Sequence, residues 1–254
     1  MKFTLCLCLS VLAACTGPVP ANIPVHYDHM VLVKTVRLPN YMDWYTRFAE
    51  HSWIDLKDGN EQSWTRIEIE GTISGVVIEE LSAEDARANM RWDNPVFVLE
   101  SFQGAEAQEL IPRILESANA VTDFGRLEFH RIEDGGWTER FIPPTDGRLY
   151  DAWPGPNSNT MIAQIIDRTA GLHAELHHNG VGKDYPDVFR AGLTASGYGV
   201  EADFGQLGLG IGLRQGIELH LAGLTAGLSL WPPALKLPFL PRIGVHQGWV
   251  GKSY

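Results

Sequence analysis

Tyr150-Asp151-Ala152-Trp153-Pro154-Gly155-Pro156-Asn157-Ser158-Asn159-Thr160 is a Pro- and Gly-punctuated approach to the run Met161, Ile162, Ile165 and Ile166. That i, i+1, i+4, i+5 spacing is the apolar stripe of an amphipathic helix, so a rigid loop here delivers a helix N-terminus. Ser158 falls at or just inside that terminus. The unpaired N–H groups and the dipole there favour negative charge, which suits a helix cap and equally suits a nucleophile with an oxyanion beside it. The strands that pack on this helix decide the fold around it.

The clearest pair of strands lies upstream. Ser52, Ile54 and Leu56 alternate with His51, Trp53 and Asp55, and Thr65, Ile67 and Ile69 alternate with Trp64, Arg66, Glu68 and Glu70. A period of two is that of half-buried strands. Gly59-Asn60 between Asp58 and Glu61 is a two-residue hairpin signal. Pairing Asp58 with Glu61 sets Ile54 opposite Thr65, Asp55 opposite Trp64, Trp53 opposite Arg66 and His51 opposite Glu68. Opposed side chains lie roughly 5 Å apart at Cβ, so Glu68 is placed to hold the His51 imidazole and Trp53 to stack on Arg66. An exposed sheet face with a cross-strand ion pair is the plainer reading of the same pattern.

The rest of the chain supplies the frame. Met30 to Val36 is a buried strand, and Val96 to Glu100 is another. Ser82 to Asn89 reads as a short helix capped by Ser82 with Asp85 three positions on. Gln103 to Ala120 has helical spacing with Pro112 inside, so that helix begins late or is kinked. Arg126 to Ile132 is one strand of an inserted hairpin, with turns at Asp134-Gly135-Gly136 and Pro143-Pro144. Leu193 to Leu230 is Gly-rich and alternating, a β-meander with a turn at Arg214-Gln215-Gly216. It is not a membrane span, because Arg214, Glu218 and His220 interrupt it. The Pro-rich stretch from Trp231 to Pro241 is expected to wrap the surface in extended form. The fold class is α+β: an antiparallel sheet packed against a few helices, with the C-terminal meander added.

Composition bounds the function. The 254 residues carry a formal net charge of −11, which argues against nucleic acid or anionic lipid as the main partner. Lys2 precedes an apolar run from Phe3 to Ala14 that is too short to span a bilayer, and Leu12-Ala13-Ala14-Cys15 follows. An ordinary secretory signal is one reading of this segment. All three cysteines lie in it or at its end, so the body of the chain has no thiol for a disulfide, a zinc site or nucleophilic attack. His173 and His177 fit one helical face but lack a third ligand, and Gly180-Val181-Gly182-Lys183 lacks the spacing of a phosphate loop. No metal, nucleotide or other cofactor is indicated.

Three resemblances add to this reading. Leu-Ala-Ala-Cys resembles a bacterial lipoprotein signal, which implies lipidation of Cys15; Thr16 after the Cys implies the outer membrane, lipid-anchored and facing the periplasm. The organisation that follows is a signal over residues 1–14, a tether over 15–30, a core domain over 31–188, and the meander with its Pro-rich tail over 189–254, packed on the core. Trp153-Pro154-Gly155-Pro156-Asn157-Ser158-Asn159-Thr160, then Gly182-Lys183-Asp184-Tyr185, then Pro233-Ala234-Leu235-Lys236-Leu237-Pro238 together resemble the uncharacterised bacterial family of domain of unknown function 3750, from about Val31 to about Gly244. That resemblance implies no activity.

A helix-opening nucleophile with a His on an earlier strand is similar to the circularly permuted papain-like proteins, the NlpC-type peptidases and lecithin retinol acyltransferase among them. There an Asn-Cys dipeptide opens the helix; here Asn157-Ser158 and His51 stand at the matching places, with serine for cysteine. Two functions follow. In the first the protein is a hydrolase or acyltransferase acting on cell-envelope peptide or acyl bonds. Ser158 is its nucleophile, His51 its base and Glu68 its orienter, with Asn157 or Asn159 at the oxyanion and Trp53, Arg66 and Trp153 toward the substrate. In the second it is a non-catalytic binding or structural envelope protein in which Ser158 caps its helix.

Overall fold

A computed structural model describes residues 27–244 except 45, 60–62, 71–74, 122–123, 132–136, 145–149, 186–188 and 231–232. Cys15 with the signal, most of the tether, the Asn60-Glu61 half of the proposed hairpin turn and the Asp134-Gly135-Gly136 turn lie outside the described residues.

β1 (His29–Arg37) is apolar at successive positions because both its faces are covered. It pairs on one side with β2 (Glu50–Asp58) and on the other with β6 (Asn94–Gln103), both antiparallel. Beyond β2 come β3 (Ser63–Glu70) and β4 (Gly75–Ser82), and beyond β6 comes the short β5 (Met90–Arg91). β7 (Gly125–Arg131) joins β4 in parallel and forms with β8 (Trp137–Ile142) the inserted hairpin expected from the sequence. The eight strands stand in the order β5-β6-β1-β2-β3-β4-β7-β8.

Among the described residues three helices accompany this sheet. α1 (Ala83–Arg87) is capped by the Ser82 hydroxyl, which accepts from the Asp85 amide. α2 (Ala105–Ala120) is unbroken through Pro112 and starts two residues past Gln103 rather than late. α3 is Ser158–Arg168. α2 and α3 bury Leu110, Ile111, Ile114, Met161, Ile162 and Ile165 on the sheet face formed by Val31, Val33, Ile54, Leu56, Ile67 and Ile69. This is the main core; removing water from one such side chain is worth about 1.5–3 kcal/mol.

The β2–β3 register differs from the sequence reading. Ile54 lies opposite Ile67, Asp55 opposite Arg66 and Leu56 opposite Thr65, two residues from the register that Gly59-Asn60 as a tight turn would impose. A slip of two leaves every side chain on its expected face. Electrostatics decide between the two registers. Asp55 is fully buried, and it accepts from Arg66 Nε at 2.8 Å and Nη2 at 3.0 Å and from Lys34 Nζ at 2.8 Å. Opposite Trp64 that carboxylate would have faced an indole instead of a guanidinium, and an unpaired buried charge is severely destabilising.

The C-terminal sheet has seven strands: β9 (Phe189–Leu193), β10 (Gly199–Phe204), β11 (Leu207–Gly212), β12 (Gly216–Leu221), β13 (Leu224–Leu230), β14 (Pro233–Lys236) and β15 (Ile243–Gly244). All of its pairings are antiparallel between sequence neighbours, the meander expected. The Pro-rich stretch does not merely wrap the surface: Pro233–Lys236 is a strand, with Leu235 opposite Leu228. Its inner face meets α3 through Arg190, which binds Asp167 at 2.9 Å, and its edge meets β6 through Arg214 and Glu100 at 2.8 Å.

Candidate active site

Ser158 is the first residue of α3, and its cap is supplied one residue earlier. Asn157 is the N-cap: its side-chain oxygen accepts from the Asn159 and Thr160 amides, and the Thr160 hydroxyl accepts in return from the Asn157 amide at 3.0 Å. This reciprocal capping box satisfies the orphan donors that Ser158 would otherwise have served. The chain is braced from behind by Gly182, whose carbonyl accepts from Thr160 Oγ1 at 2.7 Å. Gly182 has φ +84°, and a Cβ there would sit 2.5 Å from Asn157 Nδ2, so only glycine fits. The two sequence motifs around Asn157 and Gly182 are thus halves of one joint.

With the cap supplied by Asn157, the Ser158 hydroxyl points at β2. Its Oγ lies 3.1 Å from His51 Nδ1, and His51 Nε2 lies 2.8 Å from Glu68 Oε2. Under the observed register Glu68 reaches His51 diagonally rather than from directly across the ladder. Exposure of Ser158, His51 and Glu68 is 6%, 7% and 1%. The end of β2 beside them is held by the loops around α3: Asn159 Nδ2 donates to Glu50 O at 2.8 Å, and the Glu50 amide donates to Asn179 O at 2.9 Å.

Glu68 carries a second partner that the sequence did not suggest. Arg91 grips it with two parallel bonds, Nη1 to Oε2 at 2.9 Å and Nη2 to Oε1 at 3.0 Å. Burial alone would push the carboxyl up; the His51 hydrogen bond and charge, with Arg91, outweigh it and hold Glu68 down at about 2. A carboxylate only accepts, so a ring that carries one proton directs it from Nε2 to Glu68 and turns its Nδ1 lone pair to the Ser158 hydroxyl.

Arg91 is itself positioned by rings, lying 5.1 Å from the Trp53 centroid and 4.4 Å from that of Trp92. Trp92 and Asp93 both have positive φ, 54° and 61°, in the two-residue turn that joins β5 to β6. Such a turn favours Asn and Gly, and a Trp there is strained by on the order of 1 kcal/mol or more. The strain holds the Trp92 ring 5.6 Å from His51.

Tyr150 completes the group. Its phenol lies beside Ser158: burial pushes it up, and its interactions with the Ser158 side chain and backbone pull the other way. Tyr150 and Arg91 carry no signature of a partner in sequence, since a contact across 23 residues for Arg91 needs the β5–β6 turn to exist first.

The remaining sequence candidates are placed as follows. Trp53 stacks beside His51 at 5.9 Å and lies 5.3 Å from the Arg66 guanidinium, as expected, although Arg66 is committed to Asp55. With Met90, Arg91 and Val96 these two line a cavity of about 460 Å3 on the face of the sheet away from α2 and α3. The side-chain amides of Asn157 and Asn159 bond backbone carbonyls of the surrounding loops and strand. Asn157 Nδ2 donates to Ala152 O, Asn159 Nδ2 donates to Glu50 O and Val181 O, and what Asn159 keeps is an unpartnered acceptor oxygen. Trp153 joins Phe48 and Phe239, at 5.8 and 6.3 Å, in an aromatic cluster. His173 and His177 follow the end of α3 in irregular chain, so they share no helical face. Among the described residues no group of three or more His, Cys, Asp or Glu is placed to hold a metal ion.

The fold and site define an α+β protein with a Ser-His-Glu constellation at a helix N-terminus. A family profile described as "Protein of unknown function (DUF3750)" matches residues 31–132 and 143–185, more than half the chain, and the chain belongs to that family. The match contains Ser158, His51, Glu68, Arg91 and Tyr150, and it ends at residue 185, before the meander, not near Gly244 as the motif resemblance implied. No curated protein and no solved structure matches the chain.

Proposed function

We propose that this protein is a lipid-anchored hydrolase or acyltransferase of the cell envelope, with Ser158 as nucleophile, His51 as base and Glu68 as orienter. The observation that carries the reading is the chain of two hydrogen bonds, Ser158 Oγ to His51 Nδ1 at 3.1 Å and His51 Nε2 to Glu68 at 2.8 Å. A serine hydroxyl needs a base within reach, and a base needs a fixed tautomer; both are supplied.

In this reading Ser158 Oγ bonds to a carbonyl carbon as its proton passes to His51 Nδ1. The resulting oxyanion is held by the Ser158 amide at the helix start and by the Tyr150 hydroxyl. His51 then returns the proton to the leaving nitrogen or oxygen as that bond breaks. Water, or an acceptor hydroxyl or amine, attacks the acyl-serine with the same base and regenerates Ser158. Glu68 stays ionised throughout. A permuted papain-like arrangement is supported by a nucleophile at a helix start against an antiparallel sheet that carries the His earlier in the chain; serine for cysteine is its main departure. Cell-envelope peptide or acyl bonds are the substrate class by location, through the Cys15 lipoprotein signal, with the domain facing the periplasm from the outer membrane.

The low exposure of Ser158, 6%, favours the second reading, a binding or structural envelope protein with the same group of residues. A small fluorophosphonate separates the two. Labelling of the folded protein at Ser158, lost in Ser158→Ala and in His51→Ala, is the expected outcome. A folded wild-type protein that stays unlabelled over hours at millimolar probe ends the catalytic reading.

A further inference from the structure

The meander is built inside out. On β9 to β14 every outward position is Phe, Leu, Ile, Val, Ala or Pro, while the inward positions carry Glu201, Asp203, Glu218, His220 and Lys236 with glycines between. The outward pairs of β11 and β12, Leu207 with Leu221, Leu209 with Leu219 and Ile211 with Ile217, are each about half exposed. The inward charges are buried and paired: His220 Nδ1 binds Asp203 at 2.7 Å, Lys183 binds Asp184 at 2.6 Å, and Lys236 binds Glu218. An aqueous sheet turns its polar residues outward, and this one does the reverse.

Seven strands at about 4.8 Å give a face roughly 29 Å wide; β9 to β13, at about 3.3 Å per residue, make it roughly 20 Å tall, and it narrows over the four-residue β14 and two-residue β15. That is at or beyond the largest apolar patch of an ordinary monomer. We infer that this face is a membrane-docking surface whose occupant is the acyl-chain region of one leaflet of a bilayer.

Three observations favour lipid over a protein partner. A protein interface uses about one hydrogen bond per 100–200 Å2 and a polar rim, and the outward side chains of these strands offer no donor or acceptor. Hydrocarbon requires just that, and the ladder satisfies the backbone of the five inner strands; β9 and β15 pair on one side only and therefore belong at the hydrated rim of the contact. Apolar-out, polar-in alternation is the pattern of membrane-facing strands. The strands are shorter than the roughly 9–11 residues that cross a bilayer, so the sheet rests on the leaflet and does not span it. Among the described residues no helix is long and apolar enough to cross a membrane.

The chain outside the described residues agrees. Cys15 precedes Tyr27 by twelve residues, a reach of at most about 43 Å, so a lipid on Cys15 can share the leaflet with this face. That last point rests on the lipid anchor of the proposed function; the apolar face does not.

The test uses the full chain, matured in its host and reconstituted in vesicles of the zwitterionic lipids phosphatidylethanolamine and phosphatidylcholine. Leu219→Cys carries an environment-sensitive nitrobenzoxadiazole probe, and Glu109→Cys on exposed α2 carries it as control. Lipid with a nitroxide high on its acyl chain should quench the Leu219→Cys probe at least threefold and leave the control within a tenth. The pair Leu209→Asp and Leu219→Asp should lower vesicle binding of the unlipidated Cys15→Ser chain at least tenfold. A water-like, unquenched probe overturns the inference. So does a shielded but unquenched probe with energy transfer between labelled copies, which would assign the face to a second copy of the chain. Fluorophosphonate labelling at Ser158, read on the same samples, keeps failure of the docking surface distinct from failure of the catalytic reading.

Discussion

Ser158 Oγ and His51 Nδ1 lie 3.1 Å apart across 107 residues of sequence. The contact exists because Asn157, not Ser158, caps α3, and because Glu68 and Arg91 fix the far side of the imidazole. Each of these supports can be removed separately.

Glu68→Gln keeps the shape of the carboxylate and reverses its hydrogen-bonding sense. The amide N–H₂ can donate to His51 Nε2, which moves the imidazole proton to Nδ1 and turns the base away from Ser158. The rate of fluorophosphonate labelling should fall by about 10⁴, as tautomer loss does in serine triads. An unchanged rate with a native circular dichroism spectrum would remove Glu68 from the mechanism.

Arg91→Met leaves Glu68 held by His51 alone. Loss of two charge-assisted bonds should cost about 2 kcal/mol, read as a lower midpoint in urea unfolding with unchanged slope. Arg91→Lys should recover part of the stability but not the bidentate grip, so its labelling rate should stay below wild type. Full recovery by lysine would mean that only charge matters at this position.

Asn157→Ala removes the cap and should cost about 1 kcal/mol. Gly182→Ala should cost more, since it adds strain at φ +84° to a 2.5 Å approach to Asn157 Nδ2. The double variant should be less destabilised than the sum, because shortening Asn157 vacates the space the new methyl needs. Strict additivity would show that the two residues do not share a joint.

Two carboxyls give opposite pH dependence. Burial raises Glu50 to about 7, against the pull of Arg37 and the Thr35 hydroxyl. The folded state therefore keeps a proton that the unfolded chain releases near 4.5, and stability falls as pH rises from about 4.5 to about 7. Glu50→Gln should abolish that fall and leave a variant more stable than wild type at pH 8 and not at pH 4. Glu68 is held at about 2, so its contribution is present above about 4.5 and is lost as pH falls toward 2. Thermal midpoints of both variants across pH 2.5 to 8 check the two signs.

His220 adds a third, alkaline limb. Burial lowers it, but Asp184, Asp203 and Glu218 together raise it to about 9. Its stabilisation is complete below about 6.5 and is lost as pH rises through about 9. His220→Gln should be less stable than wild type at pH 6, with the gap closing by pH 10. A constant gap would place its role in packing alone.

The local pattern of the sequence determined the elements: the strands at Met30, Ser52 and Thr65, the Ser82-capped turn of helix, the helix opening at Ser158, and the alternation of the meander. These follow from side-chain period and capping chemistry, which act within a few residues. It also brought Ser158, His51 and Glu68 forward as a group, although by a register two residues off. A turn signal and a buried ion pair competed there, and only the sheet shows that Asp55 with Arg66 and Lys34 prevails.

What tertiary structure alone decided is who partners whom at long range. Arg91 reaches Glu68 only once Trp92 and Asp93 accept a strained turn, and Tyr150 reaches Ser158 only once the loop before α3 has folded. The direction in which the meander faces belongs to the same class. Alternation reads identically whichever face is turned outward, and it is the burial of His220, Glu218 and Lys236 against the body of the protein that leaves leucines on the outside.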